Sequence, residues 1–573
     1  MIPGTILPYE IFHRSERREF LNLFDDVGIR VRLRTAKEEV SRAEIVFSLD
    51  EDSEFAIEMG KVASDNQFDY FEAIIKPIKP SFYYYFRLFI KGELVYYTRH
   101  NIQHAVAELD RFFCNIEELH NFRVPDWAQD AVCYQIFPER FYNGDPKNDL
   151  EEVERWGSIP KPNNFFGGDL KGIEEKLGYL KDLGISLIYL TPIFESNSNH
   201  KYNIKDYYKI DPHFGDKETL KELVDKAHSL GIRIILDGVF NHCSRDFFAF
   251  QDVVKKGRDS KYLNWFTIYD LPIRYSPKPT YKAWYNVIDM PKFNMDNPQT
   301  REYLLDVATY WIKEADIDGW RLDTGMEIGH SFWKEFRRRV KNVKPDAYIV
   351  GEILGDETDW IQGDQFDAVM DYRFRELVLK FFALNSINAK EFNNYLTRIK
   401  MERAEQPDRV MFNLIGSHDT PRFLTLCRGN VNKMLLAVLF QMTYTGLPVI
   451  YYGDEIGLEG GMDPGCRKCM IWDENQWNKR LFETYRTVIR IRNNYKALRR
   501  GNFQSIIAEE NNVYGFLRSY GTEHLLVLIN NSPYERILAI DLGFSRFIDL
   551  ITEKTYNLPI KINPYTGFVL KCE

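Results

Sequence analysis

KETLKELVDKAHSLGIRIILDGVF, residues 217–240, is an amphipathic helical stretch that ends at a glycine and leads directly into an apolar run carrying Asp237. A helix feeding a short buried strand is half of a βαβ unit, the connection that parallel sheets need. The alternation recurs. Apolar runs stand at AVCYQIFP (131–138), ISLIYLTPIF (185–194), IRIILDGVF (232–240), DGWRLD (318–323), AYIVGEI (347–353), FDAVMDY (366–372), RVMFNLIGS (409–417) and LPVIYYGDE (447–455). A second clear helical pattern, TREYLLDVATYWIKEA (300–315), precedes the fourth run. Eight such units predict an α/β fold, a (β/α)8 TIM barrel over residues 124–500, rather than an open sheet. The interval 242–298, after the third run, is too long for a simple connection and reads as an inserted subdomain.

The flanks have another texture. VRLR, AEIVFSL, FDYFEAIIK, FYYYFRLFI and ELVYYT, with a turn at Lys91-Gly92, predict an N-terminal β-sandwich over residues 1–123. VYGFLRSY, HLLVLINN, ERILAIDL and GFVLKCE predict a C-terminal β-domain over 501–573.

Composition narrows the partners. The formal net charge of -9 argues against nucleic acid and anionic membranes, while an uncharged ligand suits it. Aromatic residues reach 15%, which serves stacking on sugar rings as well as ordinary core filling. MIPGTILPYEIFHRSERREF lacks the pattern of a secretory leader, and no apolar run is long enough to span a bilayer. Seven scattered cysteines do not form a disulfide framework, and the lone pair Cys466 and Cys469 has no partner pair at zinc spacing. A cytoplasmic location is expected.

In a (β/α)8 barrel the chemistry collects at the C-terminal ends of the strands. Asp237, Asn241 and His242 close the third run, Arg321 and Asp323 the fourth, Glu352 the fifth, His418 and Asp419 the seventh. Any one of these could merely cap a helix or bind water. Four strands bringing similar chemistry to one rim weigh against that. Residues i and i+2 of a strand point the same way, so Arg321 and Asp323 should lie side by side. A guanidinium so close should lower the carboxyl pKa by about 1 to 3 and keep Asp323 ionised, as a nucleophile must be. Glu352, facing the charges of Asp323 and Asp419, should hold its proton and serve as a general acid. One ionised and one protonated carboxyl are the equipment of glycoside cleavage, and adjacent strands suit the separation of about 5 to 5.5 Å of a retaining enzyme.

DGVFNH (237–242), GWRLD (319–323), GEI (351–353) and GSHDTPR (416–422) resemble, in order, the four signature regions of the alpha-amylase family of glycoside hydrolases, and GLPVIYYGDEIG (446–457) resembles its last barrel strand. The resemblance implies Asp323 as nucleophile, Glu352 as acid/base and Asp419 as the carboxylate that fixes substrate hydroxyls. It implies that His242, Arg321 and His418 hold the reacting sugar, that Tyr202 in NHKYNIKDYY stacks on it beside His200, and that Asp237 supports the site. A β-domain ahead of the barrel, IFPERFYNGD (136–145) and MPKFN (290–294) are similar to the cyclomaltodextrinase, neopullulanase and maltogenic amylase group. That likeness implies a homodimer, in which one subunit's N-terminal domain narrows the other's cleft, acting on cyclodextrins, maltooligosaccharides and pullulan. DPGCRKCMIWD (463–473) implies that Asp463 and Arg467 contact the non-reducing sugars, and Glu327 matches a further binding position.

NGDPKND (143–149) offers hard oxygen donors, a pattern that standing alone is more often an Asx-rich turn. Its likeness to a calcium loop of the group implies a structural Ca²⁺ held by Asn143, Asp145, Asn148, Asp149, Gly167 and Asp169. TGMEI (324–328) and Ile353-Leu354-Gly355 depart from the group's usual residues on the acceptor side, which leaves linkage preference and transglycosylation open. A glycosyl transferase or sugar isomerase of the same family is the alternative enzyme. A non-catalytic glucan-binding protein on an amylase-like barrel is the alternative from another class.

Overall fold

The computed structural model describes residues 10–24, 28–48, 53–76, 79–120, 122–509 and 511–573. Of the stretch read for a secretory pattern, residues 1–20, the first nine lie outside the described residues. Two compact units emerge: Met1–Arg123 with Thr358–Gly363 and Lys390–Asp408, and the remainder from Val124 to Glu573.

Each of the eight apolar runs supplies one barrel strand. In chain order these are Cys133–Ile136, Leu187–Leu190, Arg233–Gly238, Gly319–Leu322, Tyr348–Gly351, Ala368–Val369, Phe412–Leu414 and Leu447–Tyr451. They pair in parallel, and a parallel bridge from Met370 to Phe412 closes the ring between the sixth and seventh strands. The opening stretch behaves as its pattern predicts. Asp216 caps helix Lys217–Ser229 by accepting from Thr219 N–H, and Leu220, Leu223, Val224 and Ala227 form the buried face. Helix Pro298–Ala315 begins on an Asn297 cap with proline at its first position and stops where Asp316 turns left-handed, ahead of the fourth strand. Gly319 opens that strand at φ 149°, where a Cβ would lie 1.9 Å from the Tyr348 carbonyl oxygen. Only glycine allows the fourth and fifth strands so close.

The seam between first and eighth strands carries a buried acid. Tyr134 Oη and Tyr179 Oη donate to Glu455 Oε1 at 2.7 and 2.6 Å, and burial pushes this carboxyl up to about 7. Its pKa is therefore higher folded than unfolded. The stabilisation belongs to the protonated form, is complete below about pH 4, and is lost as pH rises through 7; it is on the order of 3 kcal/mol. Glu455→Gln should remove this dependence, matching or exceeding the native protein in stability at pH 8 but not at pH 5. Urea unfolding at both pH values reads it, and parallel losses in the two proteins would refute the assignment.

The insert after the third strand holds one helix, Phe248–Lys256, and otherwise short turns tied by isolated bridges. The bridge from His242 to Lys292 returns its far end to the rim of the third strand. At the C-terminus a six-stranded antiparallel sheet forms, with Leu526, Leu528, Phe568 and Leu570 in its core. Of ERILAIDL only Arg536–Leu538 is a strand, and it pairs with Ile560–Ile562 outside that sheet. Residue 500 is not a boundary between compact units: this sheet clusters with the barrel.

The other unit contains the expected two antiparallel sheets, built on Ile29–Ala36 with Phe68–Ile75 and on Val40–Ser48 with Ser81–Ile90. Val31, Leu33, Ile45, Phe71, Tyr84 and Phe86 share its core. Lys91 (φ 52°) and Gly92 (φ 86°) make the hairpin turn, both left-handed as a type I′ turn demands. Thr358–Gly363 and Lys390–Asp408, inside the range read as barrel, belong to this unit. Arg398 of the latter segment reaches Asp65 at 3.1 Å. Among the described residues no helix is long and apolar enough to cross a membrane.

Candidate active site

The C-terminal ends of the strands surround a cavity of about 370 Å³. His200, Tyr202, His242, Asp323, Glu327, Glu352, Asp419, Asp463 and Arg467 all line it. Asp237, Arg321 and His418 do not: they lie fully buried behind its wall. Their contacts in the structure are with the carboxylates and the stacking tyrosine: Arg321 with Asp237 and Asp323, His418 with Tyr202.

Arg321 and Asp323 are neighbours, as strand geometry requires, with Nη1 donating to Asp323 Oδ1 at 3.0 Å. The same nitrogen also donates to Asp237 at 3.0 and 3.1 Å. Nη2 stands 3.0 Å from Glu352 Oε2, close enough for an ion pair though off the line of a hydrogen bond. One guanidinium thus faces carboxylates from three successive strands. That overturns the expected depression of the Asp323 pKa. Burial pushes Asp323 well above the usual carboxylate range, and Glu352 and Asp237 add to this while Arg321 opposes it. Burial also lifts Asp237 to about 6 against the pull of Arg321. Asp237 and Asp323 are the buried pair of the three, and burial beside a shared guanidinium favours a bound proton between them.

Thr324, directly after Asp323, adopts the left-handed conformation at φ 44°, a strained state for a β-branched residue. This aims its N–H at Glu352 Oε2 (2.9 Å), while its hydroxyl reaches Asp323 Oδ2 at 3.3 Å. No sequence pattern announced it.

Behind Tyr202 runs a relay. Gln135 Nε2 stands 2.7 Å from His418 Nδ1, which leaves the ring proton on Nε2, 2.6 Å from Tyr202 Oη; that hydroxyl donates to Asp237 at 2.9 Å. The tautomer follows from these partners. Burial lowers the His418 pKa well below its ordinary value, with Arg467 and Arg321 adding to the effect, so the ring is neutral. His418 and Tyr202 stack at 5.5 Å and 6°, which fixes the tyrosine plane. Asp419 is the open carboxylate, with 40% of its side chain accessible; burial raises its pKa against the pull of Arg467 and Arg321. Arg467 joins it (3.2 Å) to Asp463 (3.1 Å). Cys466 and Cys469 are free and buried in the same strap.

Besides Thr324, the site gains residues that were not singled out beforehand: Gln135, Trp284, Met290 and Lys292. The last three come from the insert. Lys292 Nζ donates to Glu327 Oε2 at 2.5 Å, Trp284 Nε1 to Glu327 Oε1 at 3.1 Å, and the Trp284 ring stacks on His242 at 5.4 Å. The quoted MPKFN contained Lys292, but nothing local tells that its ammonium meets a carboxylate 35 positions on.

Carboxylates on one guanidinium, beside a stacked aromatic platform in a sugar-sized cavity, are the arrangement expected of a glycosidase. Comparison with known protein families finds the alpha amylase catalytic domain over residues 135–519. The chain belongs to the alpha-amylase family. The alpha amylase N-terminal ig-like domain matches residues 9–116. A cyclomaltodextrinase of Geobacillus thermopakistaniensis is 45% identical over 98% of both chains, and neopullulanase 2 of Thermoactinomyces vulgaris 44% identical over 98% of both. A solved cyclomaltodextrinase structure superposes with a TM-score of 0.93, at 41% identity, covering 99% of this chain and all of that one. This member of the family is a glycoside hydrolase of the cyclomaltodextrinase, neopullulanase and maltogenic amylase group.

The predicted calcium residues also come together. Asn143 Nδ2 donates to both Asp149 oxygens (3.0 and 2.9 Å), and Asn148 Nδ2 approaches Asp169 at 3.3 Å. Gly167, at φ 80°, leaves a space in which a Cβ would stand 2.1 Å from Asp149 Oδ1. Asn143 Oδ1 and Asn148 Oδ1 are buried without a hydrogen-bond partner. Two orphaned amide oxygens beside a carboxylate fit a hard cation. Asp169 differs: it caps helix Leu170–Glu175 through Gly172 N–H and accepts from Gly144 and Asp145 N–H. Among the described residues no three His, Cys, Asp or Glu groups gather as a metal site, so any cation here would rest on amides and carbonyls as well.

Proposed function

We propose that this enzyme hydrolyses α-1,4-glucosidic bonds of cyclodextrins and short maltooligosaccharides, and of pullulan, with retention at the anomeric carbon. The observation that carries the reading is the sharing of Arg321 by Asp237, Asp323 and Glu352 at the wall of the cavity. In the reacting complex Asp323 attacks the anomeric carbon as Glu352, the acid, protonates the departing glycosidic oxygen. Glu352 then takes a proton from water, which displaces Asp323 and restores both carboxyls. Arg321 and Thr324 N–H limit the movement of both groups. Tyr202 supplies the stacking surface, and Asp419 with Arg467 and Asp463 faces the sugar hydroxyls. Initial rates on β-cyclodextrin and soluble starch at equal mass test this reading. Cyclodextrin should be cleaved several times faster, to maltose and glucose; faster cleavage of starch to mixed oligosaccharides would refute it.

Transfer to a sugar acceptor is a second reading, favoured by Leu354, an apolar side chain 53% exposed that lines the same cavity as Glu352. Product chromatography at high maltotriose separates it from hydrolysis, since transfer yields oligosaccharides longer than the substrate.

The assembly we infer is a homodimer. Tyr83 and Phe113 meet at 5.1 Å, tilted by 47°, on the N-terminal unit while about half exposed, a surface suited to burial against a second copy. Seven free, buried cysteines support a reducing, cytoplasmic setting. Calcium would be held by Asn143, Asn148 and Asp149 with the loop of Gly167, and would supply cross-linking charge to a loop outside the chemistry. Adding a chelator should lower the melting temperature by a few degrees, the scale of about 2.7 kcal/mol for an ion at a hundred times its Kd, with kcat below the transition unchanged. Identical melting with calcium and with chelator would rule the ion out.

A further inference from the structure

A second cavity, of about 830 Å³, opens on the barrel unit and shares no lining residue with the active site. Tyr142, Trp156 and Trp472 line it together with Glu154, Asp473 and Gln476. Trp156 stands at the corner of a turn: Ser158 N–H donates to the Arg155 carbonyl at 3.0 Å, and Gly157 takes φ 84°, as the third position of a type II turn needs. Trp156 is only partly buried there, its ring edge-on to Phe166 at 6.5 Å. Its Nε1–H donates to the Met470 carbonyl at 2.9 Å, which fixes the indole. Trp472 is held likewise, its Nε1–H on the Phe141 carbonyl at 2.7 Å and its ring edge-on to Tyr142 and Tyr179 at 5.8 and 5.2 Å. With both N–H groups satisfied by backbone the rings are fixed; Lys176 Nζ stands over Tyr142 and Trp472 at 3.9 and 4.5 Å, and the remaining ring surface lines the cavity.

Polar groups stand beside it. Asp473 accepts from Gln476 at 3.0 Å, and Glu154 pairs with Lys161 at 2.9 Å at the exposed rim. Fixed aromatic faces next to carboxylates and an amide match a sugar, whose C–H faces stack while its hydroxyls donate. Glu154 and Asp473 outweigh the one cation of the lining, Arg155, which disfavours an anion. The volume lies in the range of about 300 to 1,000 Å³ of small-ligand sites.

We propose that this cavity is a second α-glucan binding site, separate from the site of cleavage; the proposal rests on the substrate reading above. The strap from Asp463 to Asp473 joins the two: Asp463 and Arg467 line the active site, and Met470 to Asp473 line the second cavity. A glucan held there stays at high effective concentration beside the cleft. Substrates too short to use both sites gain nothing.

Equilibrium dialysis of maltoheptaose against the full-length Asp323→Ala enzyme tests the proposal. Two molecules should bind per chain, and one when Trp156→Ala or Gln476→Ala is added, while Trp156→Phe keeps the second. In the otherwise native enzyme Trp156→Ala should leave kcat/KM on maltotriose unchanged and lower it on soluble starch by about 2- to 10-fold, the worth of one lost stacking contact. One molecule bound before and after both substitutions would overturn the second site and leave the substrate reading standing. No glucan bound in any variant would overturn both.

Discussion

Asp323→Ala should lower kcat/KM on maltotriose by about 10⁴-fold or more, with the melting temperature unchanged or raised. The stability half follows from the cluster: removing one of three carboxylates crowded on Arg321 relieves repulsion between Asp323, Glu352 and Asp237. The catalytic half follows from chemistry that no neighbour can replace. Glu352→Ala should lose about 10² to 10⁴ on maltotriose, but far less in the first step on 4-nitrophenyl α-maltoside, whose leaving group departs without a proton. Azide distinguishes the two roles. Entering the Glu352→Ala enzyme after Asp323 has formed its bond, it should give the α-glycosyl azide. In the Asp323→Ala enzyme it takes the nucleophile's place and should give the β-anomer. Identical anomers from both variants would invert or abolish the assignment.

Arg321→Met should be the most damaging change to the site as a whole. It removes the one cation that meets Asp237, Asp323 and Glu352, each about 3.0 Å away. Leaving buried carboxylates without their partner costs about 3 to 5 kcal/mol, and protonation is their way out. Loss of the guanidinium raises the pKa of the nucleophile further, so the acid limb of kcat/KM must move to higher pH. Arg321→Lys keeps a charge but lacks the fork that serves three partners, and should recover stability more than rate. An acid limb that stays in place in Arg321→Met would show that the guanidinium does not govern the cluster.

Much of this molecule was legible in its sequence. All eight apolar runs became barrel strands, because a short buried strand after an amphipathic helix has few other ways to hide its surface. Asp323, Glu352 and Asp419 reached one cavity because each lies just beyond a strand of a closed parallel sheet. Other features followed no local rule. Thr358–Gly363 and Lys390–Asp408 look like barrel connections by position, yet they cluster with the N-terminal sheets. Lys292 and Trp284 sit in a segment without regular pattern, and only the folding back of the insert at His242 brings them to Glu327.

What the sequence by itself determined is the ring of strands, the order of carboxylates around it and the adjacency of Arg321 and Asp323, since periodicity and the i, i+2 direction of side chains are local properties of a strand. What only the tertiary structure decided is how charge is distributed there. The sequence offered one arginine beside one aspartate; the barrel set Asp237 and Glu352 on the same guanidinium, and burial there raises the Asp323 carboxyl instead of depressing it. Electrostatic energy depends on distance through space and on the water excluded around each group, and both are set by chain segments far apart in the sequence.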